Sequence, residues 1–249
     1  GPYGDAIHQE LLPEIERQFR TIKASYARVL TGGSTGGWES FALQVFYPDI
    51  YGGTWSFAPD PLDFRNVEGI NIYEDTNAFY KVHEWYTIPT ANTRFHTNGE
   101  VRLTSAQRNT MELVHGTRGR SGQQLDIWSA VHGPVGENGY FKPLFNKKSG
   151  VIDPTVAQYW KEHFDLRYYL ENNWMKVGPN LVGKLHIICG HMDNFYLNNA
   201  MHLYQEMLNA QKEPISDAKF TWVRGAGHCD YKQVPMLEKI MTQMQHRLP

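Results

Sequence analysis

Four of the six residues from Gly32 to Gly37 are glycine, and they lie between a short β-prone run and a helical apolar stripe. The run before them is residues 28–31, Arg-Val-Leu-Thr. After them, over residues 38–46, apolar side chains recur every three or four positions, as they do on one face of a helix. A chain that passes from strand to helix in so few residues turns sharply, and crowding at such a turn requires small residues. This feature predicts a strand–turn–helix unit.

The alternation of strands and helices continues elsewhere in the chain. Apolar, β-prone runs predict further strands at residues 53–57, 184–189 and 219–223. Helical spacing of apolar residues predicts helices at 5–20, with Asp5 as N-cap, and at 154–175, 200–208 and 237–248, the last marked by Leu237, Ile240, Met241, Met244 and Leu248. Such alternation indicates an α/β fold, a mainly parallel sheet flanked by helices.

The middle of the chain differs from both ends. Residues 65–155 are rich in Asn, Thr, Gly and Arg and show weak periodicity. We interpret 65–175, which includes the helical region that follows, as a lid-like insertion within one domain over 1–249, because long loops of this kind are usually functional. Its aromatic residues either stack on a substrate or form a small core beneath the loop: Trp85, Tyr86, Phe95, Trp128, Tyr140 and Phe141.

Composition excludes several classes of protein. Hydrophobic residues make up 41% and charged residues 20%, which is too apolar for a disordered chain. The formal net charge of −2 provides no basic excess for nucleic acid. No apolar run approaches the ~18 residues of a membrane span, and the first residues do not resemble a signal peptide. We therefore expect neither a nucleic-acid nor a membrane partner, and no cofactor.

The glycine-rich turn also carries a candidate nucleophile. Residues 32–36 match G-x-S-x-G, which places Ser34 at the tip of the strand-to-helix turn. The helix that follows favours negative charge developing at its N-terminus. The alternative is a glycine-rich connection in which the serine is incidental.

An acidic residue and a histidine follow Ser34 in the chain order serine, acid, histidine that a catalytic triad of this type has. Asp193 comes directly after the predicted strand at 184–189, and His228 directly after the one at 219–223. Each residue has an ordinary alternative, since Asp193 could cap the next helix and His228 could be a surface histidine. Asp60 and Asp63, which follow the strand at 53–57, are rival acids.

A metal site is a competing interpretation of the same region. The candidate ligands are His186, His191, Asp193, His228 and Asp230. No H-E-x-x-H or C-x-x-C spacing supports a metal. Alternation along its strand makes His186 a packed core residue by preference, so we favour the metal-free interpretation.

Three segments carry a resemblance to a known family: GGSTGGWESFALQVFYPDIYGG, GHMDNFYLNNA and GAGHCDY. They resemble the putative esterase family of α/β-hydrolases, which includes enterochelin esterases, S-formylglutathione hydrolases and feruloyl and acetyl-xylan type esterases. The resemblance extends over about 1–65 and 176–249. It implies that Ser34 is the nucleophile, Asp193 the acid and His228 the base of a serine esterase. The implied substrate is a small-molecule or carbohydrate-linked carboxylic ester, cleaved through an acyl-enzyme.

The resemblance also implies what this chain does not supply. In that fold several strands and one oxyanion donor precede the nucleophile, so we expect this chain to be the C-terminal part of the fold, with a preceding segment as a possible partner. The Thr35 backbone N–H is the expected first oxyanion donor, and we expect Gly33 and Trp38 to line the same oxyanion and substrate site. The alternative function is a non-catalytic binding or structural module that retains the scaffold.

The two cysteines are predicted to lie on neighbouring strand ends. Cys189 precedes Asp193 by four residues, and Cys229 follows His228. They form either a disulfide, which would favour a secreted or extracytoplasmic location, or two buried thiols.

Overall fold

A parallel sheet of four strands lies at the centre of the computed structural model, which describes residues 2–245. Within this range the strands are β1 Val29–Gly33, β2 Gly53–Phe57, β3 Tyr80–Val82, β4 Thr87–Pro89, β5 Ala91–Arg94, β6 Val101–Thr104, β7 Leu185–Gly190 and β8 Lys219–Val223. The central sheet has the order β1-β2-β7-β8, and all of its neighbours pair in parallel. The predicted α/β class and the four predicted strands are confirmed.

Helices cover the sheet and fill the connections between strands. Within the same range they are α1 Pro2–Ala6, α2 Leu12–Gln18, α3 Thr35–Phe46, α4 Ser105–His115, α5 Gln124–His132, α6 Pro154–His163, α7 Leu166–Val177, α8 Leu197–Asn209 and α9 Gln233–Gln245. A π-helical stretch, Ile7–Leu11, joins α1 to α2, and short 3₁₀ turns occur at Ser25–Ala27 and Gly178–Asn180. None of these helices has the length and apolarity needed to cross a membrane.

The main core packs helices against the sheet. Strand β7 is buried along its whole length, as a central parallel strand covered on both faces must be. The rings of Phe41 on α3 and Tyr204 on α8 meet edge to face, with centroids 5.6 Å apart. We call this cluster the main core; its buried members include Phe41, Val45, Leu166, Leu170, Trp174, Ile187, Met201, Tyr204 and Leu208.

The middle of the chain contains more structure than its weak periodicity indicated. It forms two small antiparallel sheets, β3-β4 and β5-β6, together with α4 and α5. A separate apolar cluster, which we call the second core, has as its buried members Phe64, Ile70, Ile72, Ala78, Phe79, Leu144, Phe145, Ile152, Val156, Ala157 and Trp160. These residues are scattered over nearly a hundred positions, so no local period reveals them.

Three local predictions need correction or qualification. The helix predicted at 5–20 begins at Pro2, so Asp5 lies inside it, and its apolar residues Leu11 and Phe19 are exposed. The helical region at 154–175 is two helices, because Asp165 caps α7 by accepting a hydrogen bond from the Tyr168 N–H. For the last helix, Leu248 lies outside the described residues.

Candidate active site

Ser34 occupies a strained turn between β1 and α3. Its φ of 58° and ψ of −124° lie in a region that non-glycine residues rarely adopt. The turn is held by its backbone: the Ser34 N–H donates to Phe57 O at 2.9 Å, and the Ser34 carbonyl accepts from the Asp60 N–H at 3.1 Å. Strain of this kind persists only where the surrounding structure enforces it, and it clusters at functional sites.

The glycines of this turn differ in how much space they leave for a side chain. A Cβ added to Gly32 would lie 2.1 Å from the Gly36 carbonyl oxygen, whereas a Cβ on Gly36 would meet nothing within 4 Å. A Cβ on Gly37 would lie 3.0 Å from Pro59 Cα. The crowding that we inferred from the motif therefore falls on Gly32 and Gly37.

Asp193 and His228 meet at the carboxyl ends of β7 and β8. Asp193 Oδ2 lies 2.8 Å from His228 Nδ1, and the Asp193 side chain is fully buried. The other oxygen, Oδ1, accepts from the N–H groups of Phe195 at 2.9 Å and Leu197 at 3.3 Å, so Asp193 also caps α8. Burial opposes the charged imidazolium, but the hydrogen bond and the charge of Asp193 raise the pKa of His228 above its ordinary value.

Strand β5, in the middle of the chain, forms hydrogen bonds that hold the loops of Asp193 and His228 in place. This role was not predicted from the sequence. The Arg94 guanidinium on β5 donates to the backbone carbonyls of Asp193 and His191, each at 3.0 Å. Asn194 accepts the His228 N–H at 2.8 Å and donates to the Arg94 carbonyl at 3.0 Å. No spacing motif connects residue 94 to residue 193, so the contact becomes visible only in the folded chain.

Asp60, the rival acid, lies at the nucleophile rather than at the histidine. Its carboxylate accepts hydrogen bonds from Ser34 Oγ at 3.3 Å, Thr35 Oγ1 at 2.6 Å and Trp128 Nε1 at 2.9 Å. Burial raises the pKa of Asp60, although these hydrogen bonds and the positive charge of His228 act in the opposite direction. Asp63, the other rival, is fully buried and pairs with Arg65 at 2.6 Å.

The Ser34 and His228 loops adjoin, but Ser34 Oγ is directed to Asp60. A Cβ placed on Gly33 would lie 3.2 Å from Cys229 Sγ, which shows how close the two loops come. His228 Nε2 faces Cys229 Sγ at 3.8 Å. Both cysteines are free thiols, so the disulfide alternative is not realised in this structure.

The other predicted site residues surround the turn. Thr35 is the first residue of α3, so its N–H has no partner within the helix and stays free for a ligand. Gln124 Nε2 donates to Thr35 Oγ1 at 3.4 Å, which brings α5 to the site. Trp38 packs against the main core instead.

The residues of the competing metal interpretation are spread apart in the structure. His186 stacks on Trp55 with ring centroids 4.3 Å apart, and His191 stacks on Trp222 at 5.2 Å. Asp230 is exposed. Of that set, it is Asp193 and His228 that are in contact.

A family model described as "Putative esterase" matches residues 2–128, about half of the chain. The chain therefore belongs to the putative esterase family. No curated protein matches it.

Three of the solved structures to which the chain is similar are titled as esterases or as an α/β-hydrolase. One is a ferulic acid esterase, with 12% identity and a TM-score of 0.46, covering 91% of this chain and 53% of its own. Feruloyl esterase B from Aspergillus oryzae has 13% identity and a TM-score of 0.38, with 81% and 52% covered. A peroxisomal α/β-hydrolase from Saccharomyces cerevisiae has 12% identity and a TM-score of 0.35, with 96% and 57% covered. The chain thus spans about half the length of each.

Proposed function

We propose that this chain carries the catalytic centre of a serine esterase that cleaves a carboxylic ester through an acyl-enzyme. Ser34 is the nucleophile, His228 the general base and Asp193 the residue that orients the imidazole. The observation that carries the proposal is the 2.8 Å hydrogen bond between buried Asp193 and His228, at strand ends next to the strained Ser34 turn. Family membership supports ester hydrolysis as the reaction class.

The chemistry follows from the positions of these groups. His228 acts in its neutral form, and its Nε2 takes the proton of Ser34 Oγ as the oxygen attacks the ester carbonyl carbon. Because the pKa of His228 is raised, the fraction of this neutral form grows with pH. The negative charge that develops on the carbonyl oxygen is stabilised by the Thr35 N–H at the start of α3. His228 then gives its proton to the departing alcohol, and a water molecule, activated by the same imidazole, releases the acid from Ser34.

The first step requires one side-chain movement. We propose that Ser34 Oγ leaves Asp60 Oδ1 and turns toward His228 Nε2 by a change of χ1 rotamer. Such rotations are fast compared with turnover. The hydrogen bond to Asp60 therefore describes a resting state of the nucleophile, and binding of the ester supplies the free energy that shifts it.

We further propose that residues 65–175 form the wall and lid of the substrate site within a single catalytic domain. Trp128 and Gln124 of α5 support this, because they contact Asp60 and Thr35 at 2.9 and 3.4 Å. The substrate class that we propose is a small-molecule or carbohydrate-linked ester.

The nucleophile is tested by covalent labelling. Wild-type chain and Ser34→Ala are incubated with a fluorophosphonate probe, the adduct is mapped by mass spectrometry, and p-nitrophenyl acetate hydrolysis is measured in parallel. Labelling confined to Ser34 and lost in the variant supports the proposal. Ser216→Ala, at a partly exposed serine, is the matched control and should label normally. Unchanged labelling of Ser34→Ala would remove Ser34 as nucleophile.

A second candidate function is a binding module without catalysis. It is favoured by the resting geometry, in which Ser34 Oγ contacts Asp60 and His228 Nε2 faces Cys229 Sγ. The same labelling experiment separates the two, since a non-catalytic module would neither react with the probe nor hydrolyse the activated ester while remaining folded.

A further inference from the structure

A cavity of about 40 Å³ is lined by two residues that contact the turn of the candidate nucleophile. Asp60, which accepts the Ser34 hydroxyl, and Gln124, which contacts Thr35, both line it. At roughly 10–15 Å³ for one water, this volume holds about three small groups. His228 does not line the cavity. The histidine protonates the leaving alcohol, so we assign a cavity that His228 does not line to the acyl part of an ester.

Several polar atoms around the cavity are buried without a hydrogen-bond partner among the described residues. They are Asn92 Oδ1, Ser105 Oγ and Trp160 Nε1, on side chains that are each at most 3% exposed. The rest of the lining is mainly apolar and includes Ile70, Leu144 and Phe145 of the second core. Leaving buried polar atoms unpaired is costly, so such atoms beside a cavity indicate a missing polar partner.

Glu68 adds a carboxylate to the same cavity. It accepts from Asn92 Nδ2 at 2.5 Å, and the positive charge of Arg108 acts on it. Burial raises the pKa of Glu68 to about 7. Glu68 and Gly69 form a two-residue turn between Val67 and Ile70 with φ of 48° and 87°, where asparagine or glycine is the favoured first residue. A glutamate in this conformation is strained, and replacement by glycine would relieve that strain.

The donor and acceptor pattern selects one kind of ligand group. Glu68 and Asn92 Oδ1 offer acceptors, Trp160 Nε1 offers a donor, and Ser105 Oγ offers both. A hydroxyl matches this set because it donates one hydrogen bond and accepts others. A carboxylate group on the ligand would be repelled by the carboxylates of Asp60 and Glu68. An ammonium group has no lone pair, so it could not accept a hydrogen bond from Trp160 Nε1.

We propose that this cavity is an acyl subsite for a short acyl chain ending in a hydroxyl group, which donates its hydrogen bond to Glu68 or Asn92 Oδ1. The inference rests on the proposed esterase function and narrows its substrate class to esters of short hydroxy acids.

The test compares two isosteric esters, ethyl 3-hydroxypropionate and ethyl butyrate, in which a hydroxyl replaces a methyl group. The ratio of their kcat/KM values is measured for wild type, Glu68→Gly and the exposed matched control Glu74→Gln. A change of ratio between variants is independent of the intrinsic reactivity of the two esters. We expect Glu68→Gly to lower the ratio about 10-fold or more, since it removes a charged hydrogen-bond acceptor, and Glu74→Gln to leave it unchanged. A melting temperature at or above that of wild type confirms that Glu68→Gly is folded.

A binding measurement keeps this inference separate from the proposed function. Tryptophan fluorescence, which reports on Trp128 and Trp160 at the cavity, follows titration with 3-hydroxypropionamide and with butyramide. Tighter binding of the hydroxyl compound by wild type, lost in Glu68→Gly, supports the subsite even if no ester is hydrolysed. Equal ratios and equal binding in wild type and variant overturn the subsite, while hydrolysis that depends on Ser34 leaves the esterase proposal standing.

Discussion

Ser34 Oγ donates a hydrogen bond to Asp60 Oδ1 at 3.3 Å, so the carboxylate next to the candidate nucleophile is a different one from the carboxylate that holds the histidine. Asp193 Oδ2 is the hydrogen-bond partner of His228 Nδ1, at 2.8 Å. Both carboxylates are buried, yet their hydrogen-bond partners differ. Asp193 fixes an imidazole, whereas Asp60 fixes two hydroxyls and the Trp128 indole. Because their partners differ, we expect substitutions of Asp193 and Asp60 to have different effects on activity.

We expect Asp193→Asn to reduce kcat/KM on an activated ester far more than Asp60→Asn. An asparagine at 193 stabilises the wrong tautomer of His228, and such a change costs about 10⁴ in a chymotrypsin-type triad. Asp60→Asn leaves the imidazole oriented and should cost about 10-fold, through the loss of one charged hydrogen bond. The measurement is steady-state kinetics on folded variants, checked by circular dichroism. Equal losses, or a larger loss at Asp60, would assign the acid to Asp60.

The pair of Asp193 and His228 should stabilise the fold most at low and neutral pH. Burial opposes the imidazolium, but the hydrogen bonds and charges of Asp193 and Cys229 together raise the pKa of His228 to about 10, above the ordinary value of 6.5. Its contribution is therefore fully present below about pH 6.5 and is lost as the pH rises toward 10. We expect the difference in unfolding free energy between wild type and His228→Gln to shrink from pH 6 to pH 10, measured by urea denaturation. A difference that does not vary with pH would contradict this.

His132 should make the protein sensitive to acid. Burial among Trp128, Trp160 and Phe164 lowers the pKa of His132 to about 4, so the folded state resists a proton that the unfolded chain binds near pH 6.5. Stability is then lost as the pH falls from about 6.5 to 4, by up to about 3 kcal/mol.

This acid effect is measured as the change in unfolding free energy across that pH window. His132→Gln should show a smaller loss than wild type, whereas His115→Gln, at an exposed histidine, should show the same loss as wild type. Equal acid sensitivity in all three proteins would show that other groups dominate.

The glycines of the turn should respond in opposite ways to substitution. Gly32→Ala places a methyl group 2.1 Å from the Gly36 carbonyl oxygen, and this backbone cannot yield without moving Ser34. We expect a loss of about 3 kcal/mol or more, together with loss of probe labelling. Gly36→Ala has open space around the new methyl group and sits in the first turn of α3, so it should be neutral or stabilising by up to about 1 kcal/mol. Urea unfolding of both variants is the measurement, and similar losses in the two would contradict it.

The positions of the central strands were predictable because the sequence pattern of a strand extends over only a few neighbouring residues. Two strands have the predicted bounds, Gly53–Phe57 and Lys219–Val223. A continuous run of β-prone residues bounded by turn residues predicts a strand without reference to the rest of the chain. The meeting of Asp193 and His228 was also predictable, because the carboxyl ends of adjacent parallel strands lie at one edge of a sheet.

Contacts between distant segments were decided by the tertiary structure. Phe19 and Leu11 repeat with helical spacing, yet a period does not say what covers the apolar face, and the folded chain leaves both exposed. The second core gathers Phe64 and Trp160 from opposite ends of a region without clear period.

The sequence by itself determined the order of the four central strands and of the helices that flank them, the sharp turn at Ser34 and the candidate acid and base. Those features depend on hydrophobic period, glycine and strand ends, which act over a few residues. Only the tertiary structure placed Asp60 on Ser34, Arg94 on the Asp193 loop and Glu68 beside the cavity. Such contacts join segments that are far apart in the chain. They depend on how the loops pack in the whole fold, and no local sequence pattern reports that packing.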